Sequence, residues 1–506
     1  MPTIGLALER NAQRVPEREA LVFGERRLTY AELDREVNRT ARGLARLGLQ
    51  KGGRVALFSP NTDMFLIAYL AVMKLGCIFV PINPRSAPPE LAYQLADSEA
   101  AALVFDPVLA PVVEAARQAG VTMEHFLATR PLAGWQDLAT LAAAESADPP
   151  PVTVSEWDDA QILYTSGTTG KPKGVLLDQH RIIWTGLNLA LGVGIKDGDR
   201  MLHVAPLYHS AELNLFVSSG VLLGCTHVIA PAFDPTAVLD VMAREQISIF
   251  FGVPTMYQFL LRHPEFGKRD LSAWRVGMYG AAPMAPSVVR ELVAALPAVQ
   301  IYNLCGLTEM GPGGIYLLPD EQLSKTGAGG RAIVNTLARV VDGDMLDVPP
   351  GTVGELILQG ETMMKGYWRK PEATAEVIRD GWLLTGDLAT IDAEGYITLV
   401  DRKKDMLITG GMNVYSVEVE NAVQAHPNVQ DCAVVGVPHP EYGETVVAVV
   451  KLKPGTELSL EELREHCGRL IADYKVPRRL VISEVPRNAS GKILKYQLRE
   501  QIAKQA

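Results

Sequence analysis

The chain has no surplus of positive charge. Its 58 aspartates and glutamates outnumber 48 lysines and arginines, for a formal net charge of −10 at pH 7. A surface that grips phosphate backbones needs clustered cations, so nucleic acid is excluded as an expected partner. Cysteine is scarce as well. Cys77, Cys225, Cys305, Cys432 and Cys467 are scattered without C-x-x-C spacing, which argues against a zinc site or a disulfide framework and fits a reducing, cytoplasmic home. The start, MPTIGLALERN, lacks the basic residues, apolar run and small-residue cleavage site of a secretory signal. The most membrane-like stretch, Met64 to Ile82, is interrupted by Lys74 and Gly76 and falls short of the roughly 20 apolar residues of a span. A buried helix followed by a buried strand is expected there, with no integral membrane segment.

What is present is enough apolar material for several cores: 506 residues, 48% of them hydrophobic. Thr29 and Glu32 have capping-box spacing, and Leu33, Val37, Ala41 and Leu44 recur at helical spacing, predicting a helix over 30–47. VALFS, CIFVPI and AALVF then alternate with helical patterns. The alternation resumes with RMLHVAP, THVIAP, SIFFGVP and RVGMYG, predicting two stacked α/β subdomains built from parallel βαβ units. From Arg339 the texture changes to short strands with Gly and Asp turns (ARVVD, GELILQG, WLLTGD, ATIDAEGYITLVD), a β-rich subdomain. The alanine-rich stretch from Leu138 to Asp148 reads as a surface connection. Past Asp401 comes a small α+β unit, with a helix near 416–426, strands near 430–437 and 444–452, a helix opened by Ser459 with Glu462, and a strand near 479–485. The expected division is 1–401 and 402–506, with a charged, glycine-ended hinge in DRKKDMLITGG.

One stretch stands apart. YTSGTTGKPKGV, Tyr164 to Val175, gathers hydroxyls at Thr165, Ser166, Thr168 and Thr169, glycines at 167, 170 and 174, and charge at Lys171 and Lys173. Glycines let backbone N–H groups curl around an anion, while hydroxyls and ammonium groups add donors, so the loop is suited to phosphate. It is not the common P-loop, because the glycines are too close together and Pro172 stands where that motif needs a Mg²⁺-binding Ser or Thr. A flexible surface turn is the bland alternative.

YTSGTTGKPKGV closely resembles the phosphate loop of the acyl-adenylate-forming enzymes, the acyl-CoA synthetases and their relatives. The resemblance continues through LTYAEL, APLYHS, YGAAP, CGLTE, GELILQG, TGDLATID, DRKKDMLITGG and NASGKILK, in that order and over nearly the whole chain. It implies a large N-terminal adenylation domain and a small mobile C-terminal one. It also implies ATP, Mg²⁺ and coenzyme A as participants and a small carboxylic acid as substrate. Assembly as a homodimer is left open.

The same resemblance implies roles for individual residues. Thr165 through Lys173 would hold the nucleotide's phosphates, Thr308 would contact the α-phosphate and Glu309 would bind Mg²⁺. Asp387 would accept from the ribose hydroxyls, assisted by Arg402. Gly280, Ala281, Ala282 and Pro283, with Asn303, Leu304 and Cys305, would form the adenine pocket. Most relatives have an aromatic where this chain has Cys305, and a thiol cannot stack comparably; a small buried apolar residue is the other reading of Cys305. Lys492 would bridge carboxylate and α-phosphate during adenylation. The small domain would then turn about Lys404 and present Gly410 and Gly411 to the thiol. Tyr442, Tyr474 and Lys475 occupy positions similar to coenzyme A contacts, with packing and surface charge as the alternatives.

The acyl pocket is expected from APLYHSAELN, FFGVPTMY and the glycines after Glu309, with His209 gating entry or serving as a structural histidine. Gly311, Gly313 and Gly314 occupy little volume, which suits a long apolar or flat aromatic group. A medium- or long-chain fatty acid is the favoured substrate. An aryl-acid CoA ligase and a stand-alone enzyme loading a carrier protein are the alternatives. From other classes, a P-loop ATP hydrolase or kinase would yield ADP, and a non-catalytic binding protein would release no pyrophosphate.

Overall fold

The computed structural model describes residues 2–165, 171–487 and 493–504. Contacts divide the chain into two units, one of residues 1–338 and 358–383, the other of residues 339–357 and 384–506.

The first unit holds two sheets. In one, Ile78–Ile82, Arg54–Phe58, Ala102–Phe105 and His125–Ala128 are parallel neighbours or next neighbours, and the antiparallel hairpin Asp159–Thr165 with Lys173–Asp178 extends one side. The other has Gln300–Gly306, Val276–Gly280, Ile249–Gly252, Arg200–His203, Thr226–Ile229 and Glu19–Phe23 as successive parallel strands. Their near-continuous burial explains the unbroken apolar runs, as expected for strands covered on both faces. The fold is thus the expected α/β class.

Helix Tyr30–Arg46 begins with the expected reciprocal cap, Thr29 Oγ1 accepting from Glu32 N–H while the Glu32 carboxylate accepts from Thr29 N–H. The membrane-like stretch is helix Asp63–Leu75, buried at every residue, followed by buried strand Ile78–Ile82. Lys74 is tolerated inside because its ammonium donates to Asp34 at 2.5 Å and to Asn38 at 2.6 Å. Among the described residues no helix is long and apolar enough to cross a membrane.

The alanine-rich stretch departs from expectation. Leu138–Ala143 is a short helix capped by Asp137, with Leu138 and Ala142 buried, and it packs against Tyr30–Arg46. The two helix backbones approach closely at Gly43, where an added Cβ would lie 3.3 Å from the Leu141 backbone.

In the second unit, Val429–His439 and Gly443–Leu452 form a long antiparallel pair, with Arg479–Ile482 parallel to the latter. Alternate valines face opposite sides. Val434, Val446 and Val450 pack with helices Ser416–Gln424 and Leu460–Gly468, and Val435, Val447 and Val449 pack with Leu498 and Ile502 of Lys495–Lys504. This is the expected α+β arrangement, including the cap made by Ser459 and Glu462.

Candidate active site

In the first unit, the hairpin sets Thr165 directly opposite Lys173. Ser166, Gly167, Thr168, Thr169 and Gly170, expected to hold phosphate, lie outside the described residues, as does Lys492. Thr165 Oγ1 lies 3.4 Å from Glu309 Oε1, and Tyr367 O–H donates to that same oxygen at 3.0 Å. The Lys173 ammonium sits 5.0 Å from the centre of the Tyr367 ring, and Lys171 sits 5.4 Å from that of Tyr93. Tyr93 O–H in turn donates to the Pro172 carbonyl at 2.9 Å. Burial and the Glu309 carboxylate push the Tyr367 phenol well above its usual range, so it stays a donor.

Thr308 and Glu309 lie on the turn Thr308–Met310, and Ser210 Oγ is 2.8 Å from Thr308 Oγ1. His209 is half-buried, and its Nδ1 accepts from the Ala211 N–H at 3.3 Å. Thr165 and Glu309 are therefore brought together from segments remote in sequence, and Ser210, the neighbour of His209, meets Thr308.

Gly174 has a different role from the one expected. It faces Tyr164 in the hairpin, where a Cβ would come within 2.5 Å of Ile162 Cγ2, so its smallness serves strand packing. The glycines after Glu309 also lie close to neighbouring backbone. A Cβ would meet the Thr362 carbonyl oxygen at 2.5 Å from Gly311 and the Cys305 carbonyl oxygen at 2.4 Å from Gly314, while at Gly313 it would lie 3.3 Å from that of Met310. Neighbouring main chain fills the side-chain position at Gly311 and Gly314, so their smallness serves backbone packing.

Gly280 ends its strand opposite Leu304, with a Cβ position only 2.3 Å from the Leu304 carbonyl oxygen. Ala281 follows in the left-handed region at φ 65°. Ala281 and Pro283 are exposed and Ala282 half-buried, leaving a low rim. Strand alternation puts half-buried Asn303 and Cys305 on one face and sends Leu304 into the hydrophobic core, so Leu304 offers the rim only main chain.

The second unit carries a separate group. Antiparallel register sets Asp387 opposite Arg402, and Arg402 Nε lies 2.5 Å from Asp387 Oδ1. Lys403 pairs with Glu355 at 2.9 Å. Desolvation lowers the pKa of the Lys404 ammonium, with Arg402 and Arg499 acting in the same direction and Asp405 and Asp387 against it. Gly410 and Gly411 form the two-residue turn between Leu407–Thr409 and Met412–Val414, at φ 57° and 79°, a hairpin geometry that requires positive φ at both positions. The Tyr442 carbonyl accepts from Gly410 N–H at 2.9 Å, and the Arg478 guanidinium lies 4.3 Å from the Tyr442 ring centre. Lys475 is engaged within the unit by Glu418 at 2.7 Å, beside the Tyr474 ring.

Sequence reasoning did not single out Tyr367, Tyr93 or Ser210. Ser210 sits inside APLYHS, but its bond to Thr308 spans 98 residues, and Tyr367 meets Glu309 across 58. The local signal for Tyr367 is the short strand Gly366–Tyr367, which joins the phosphate-loop hairpin opposite Val175.

The AMP-binding enzyme family model matches residues 8–368, and that of the AMP-binding enzyme C-terminal domain matches residues 418–492. A feruloyl-CoA synthase from Amycolatopsis sp is 40% identical, covering 97% of both chains. The long-chain-fatty-acid–CoA ligase FadD13 of Mycobacterium tuberculosis is 36% identical, covering 99% of both. The solved structure of ATP-bound MatB from Rhodopseudomonas palustris superposes with a TM-score of 0.89 at 32% identity, covering 99% of both chains. Agreement along the full length, in sequence and in fold, means that the chain belongs to the AMP-binding enzyme family and is an AMP-forming acid–thiol ligase of the acyl-CoA synthetase kind.

Proposed function

We propose that this ligase activates an aromatic carboxylic acid as its acyl-AMP and passes the acyl group to coenzyme A. The observation carrying the chemistry is the convergence of Thr165, Lys173, Glu309, Tyr367 and Thr308 beside the phosphate-loop hairpin. Two anions must meet in the first half-reaction, the carboxylate and the α-phosphate. A carboxylate oxygen forms the new bond to phosphorus while the bond to pyrophosphate breaks. Hydroxyl and ammonium donors held in advance oppose the repulsion and keep the oxygens in line. Thr308 acts at the α-phosphate, Asp387 at the ribose with Arg402 beside it, and the rim of Gly280 to Pro283 with Asn303 to Cys305 takes the adenine. Lys492 bridges the two reacting anions.

Glu309 fits Mg²⁺, a hard cation that favours one or two carboxylates plus substrate phosphates, and no group of three or more His, Cys, Asp or Glu suited to a metal occurs among the described residues. Bound there, the ion would neutralise charge on the triphosphate.

In the second half-reaction the thiol sulfur attacks the acyl carbonyl, the carbon–oxygen bond to AMP breaks and the thiol proton is released. We assign Lys404 as the hinge about which the C-terminal part, from 402 onward, turns between the steps. Gly410, Gly411 and Tyr442 then serve coenzyme A.

An aromatic acid is supported by the feruloyl-CoA synthase likeness. The likeness to FadD13 favours a medium- or long-chain fatty acid as the second reading. Pyrophosphate and AMP release over hydroxycinnamic, benzoic and fatty acids of graded length, with and without coenzyme A, tests both. Highest kcat/KM on aromatic acids is expected. A fatty-acid optimum overturns the substrate proposal, indifference to coenzyme A selects carrier loading, and ADP as product overturns the chemistry.

A further inference from the structure

Beneath the segment that carries His209 and Ser210 lies a chain of three buried titratable side chains that the reaction above does not use. His203 ends strand Arg200–His203, Glu212 lies in the π-helix Ala211–Val217, and His227 sits on the neighbouring strand Thr226–Ile229. All three are 1% exposed or less. His203 Nδ1 is 2.6 Å from Glu212 Oε1, and His203 Nε2 is 2.9 Å from His227 Nδ1, with the two imidazoles stacked.

Burial without an opposing charge pushes the Glu212 acid well above its usual range, His203 down to about 3 and His227 well below its usual range. The chain is neutral at pH 7, and three neutral groups can share its two hydrogen bonds in either direction. Burying such groups is unfavourable unless they are bonded, and an apolar residue would fill the same volume more cheaply, so the bond between them has a geometric consequence worth locating.

That consequence is a closed loop. His203 and Glu212 stand at the two ends of the segment 204–211, and their bond fastens one end to the other. His227 braces the strand side. A second prop comes from Asn61, whose side chain donates to the Ala205 carbonyl at 2.8 Å and accepts from the Leu207 N–H at 2.8 Å. The fastened segment presents Ser210 to Thr308 at 2.8 Å. We propose that Glu212 and His203 are positioning residues, a buried clasp that holds Ser210 against Thr308 and so orients the Thr308 hydroxyl for the α-phosphate. The inference rests on the assignment of Thr308 to the reacting centre.

The test is a double-mutant cycle on the full chain, read by acid-dependent pyrophosphate release with ATP and acid varied separately. Ser210→Ala and Glu212→Met should each lower kcat/KM about tenfold, mainly through kcat, while the double variant falls little further than either single one. Glu212→Gln, which keeps a hydrogen-bonding group of the same size, should stay within about threefold of the unaltered enzyme. Additive losses, an unaffected Glu212→Met, or Glu212→Gln as impaired as Glu212→Met would each overturn the clasp. If Glu212→Met does not fold, His203→Phe takes its place in the cycle, and failure of both to fold overturns a role confined to positioning. An unaltered enzyme that releases no pyrophosphate with any acid refutes the assigned chemistry instead, so the two failures are distinguishable.

Discussion

The polar groups around Glu309 and those around Asp387 are assembled by opposite means. Thr165, Glu309 and Tyr367 meet across separations of 144 and 58 residues, which requires a nearly complete sheet and its covering helices. Asp387 and Arg402 meet because one antiparallel pairing puts them opposite each other, with only a short hairpin between. A site of the first kind couples its geometry to the whole fold, whereas one of the second kind travels with its own hairpin. Groups that must not move relative to reacting phosphates suit the first construction, whereas the second needs only its own hairpin to form.

Substitutions can break or sharpen this contrast. Lys492→Ala should have the largest effect, lowering acyl-AMP formation by about a thousandfold while largely sparing thioester formation from supplied acyl-AMP. Equal loss in both assays would remove the case for two arrangements of the C-terminal part. Glu309→Gln should reduce pyrophosphate release by about a hundredfold, because the carboxylate proposed to serve Mg²⁺ loses its charge; titrating Mg²⁺ at fixed ATP measures the shift. Asp387→Asn removes a charged acceptor worth about 1.5–3 kcal/mol. It should raise the KM for ATP at least tenfold with a smaller change in kcat, and an unchanged KM would argue against ribose binding. Tyr367→Phe deletes one hydrogen bond to Glu309, worth about 1 kcal/mol, and should raise the KM for MgATP by about fivefold. If the Glu309 group is as tightly coupled to the fold as described, Tyr367→Phe should also lower the melting temperature more than Asp387→Asn does.

Much of this architecture is legible in the sequence wherever a local rule governs. The Thr29–Glu32 cap and the Ser459–Glu462 cap each depend on residues within a few positions, and each lies where the pattern puts it. The alternation of apolar runs likewise predicts the two sheets. What is not legible is which distant strands become neighbours. Glu19–Phe23 joins Thr226–Ile229, and nothing in either segment encodes the other. Tyr367 is hidden for the same reason, and the burial of Glu212 against His203 is visible only in the fold. Glycine is misleading in its own way. Absence of a side chain looks alike whether the space is for a ligand or for another stretch of backbone, and only the fold separates Gly174 and Gly314 from the glycines of a binding loop.

The close approach of main chain at Gly311 and Gly314 has a practical side for redesign. Randomising those positions to reshape acid preference would yield mostly misfolded libraries, since any larger residue must displace a carbonyl. Diversity is better placed at half-buried Tyr208 and Met256, in the segments expected to line the acid pocket, where altering bulk leaves that backbone contact untouched.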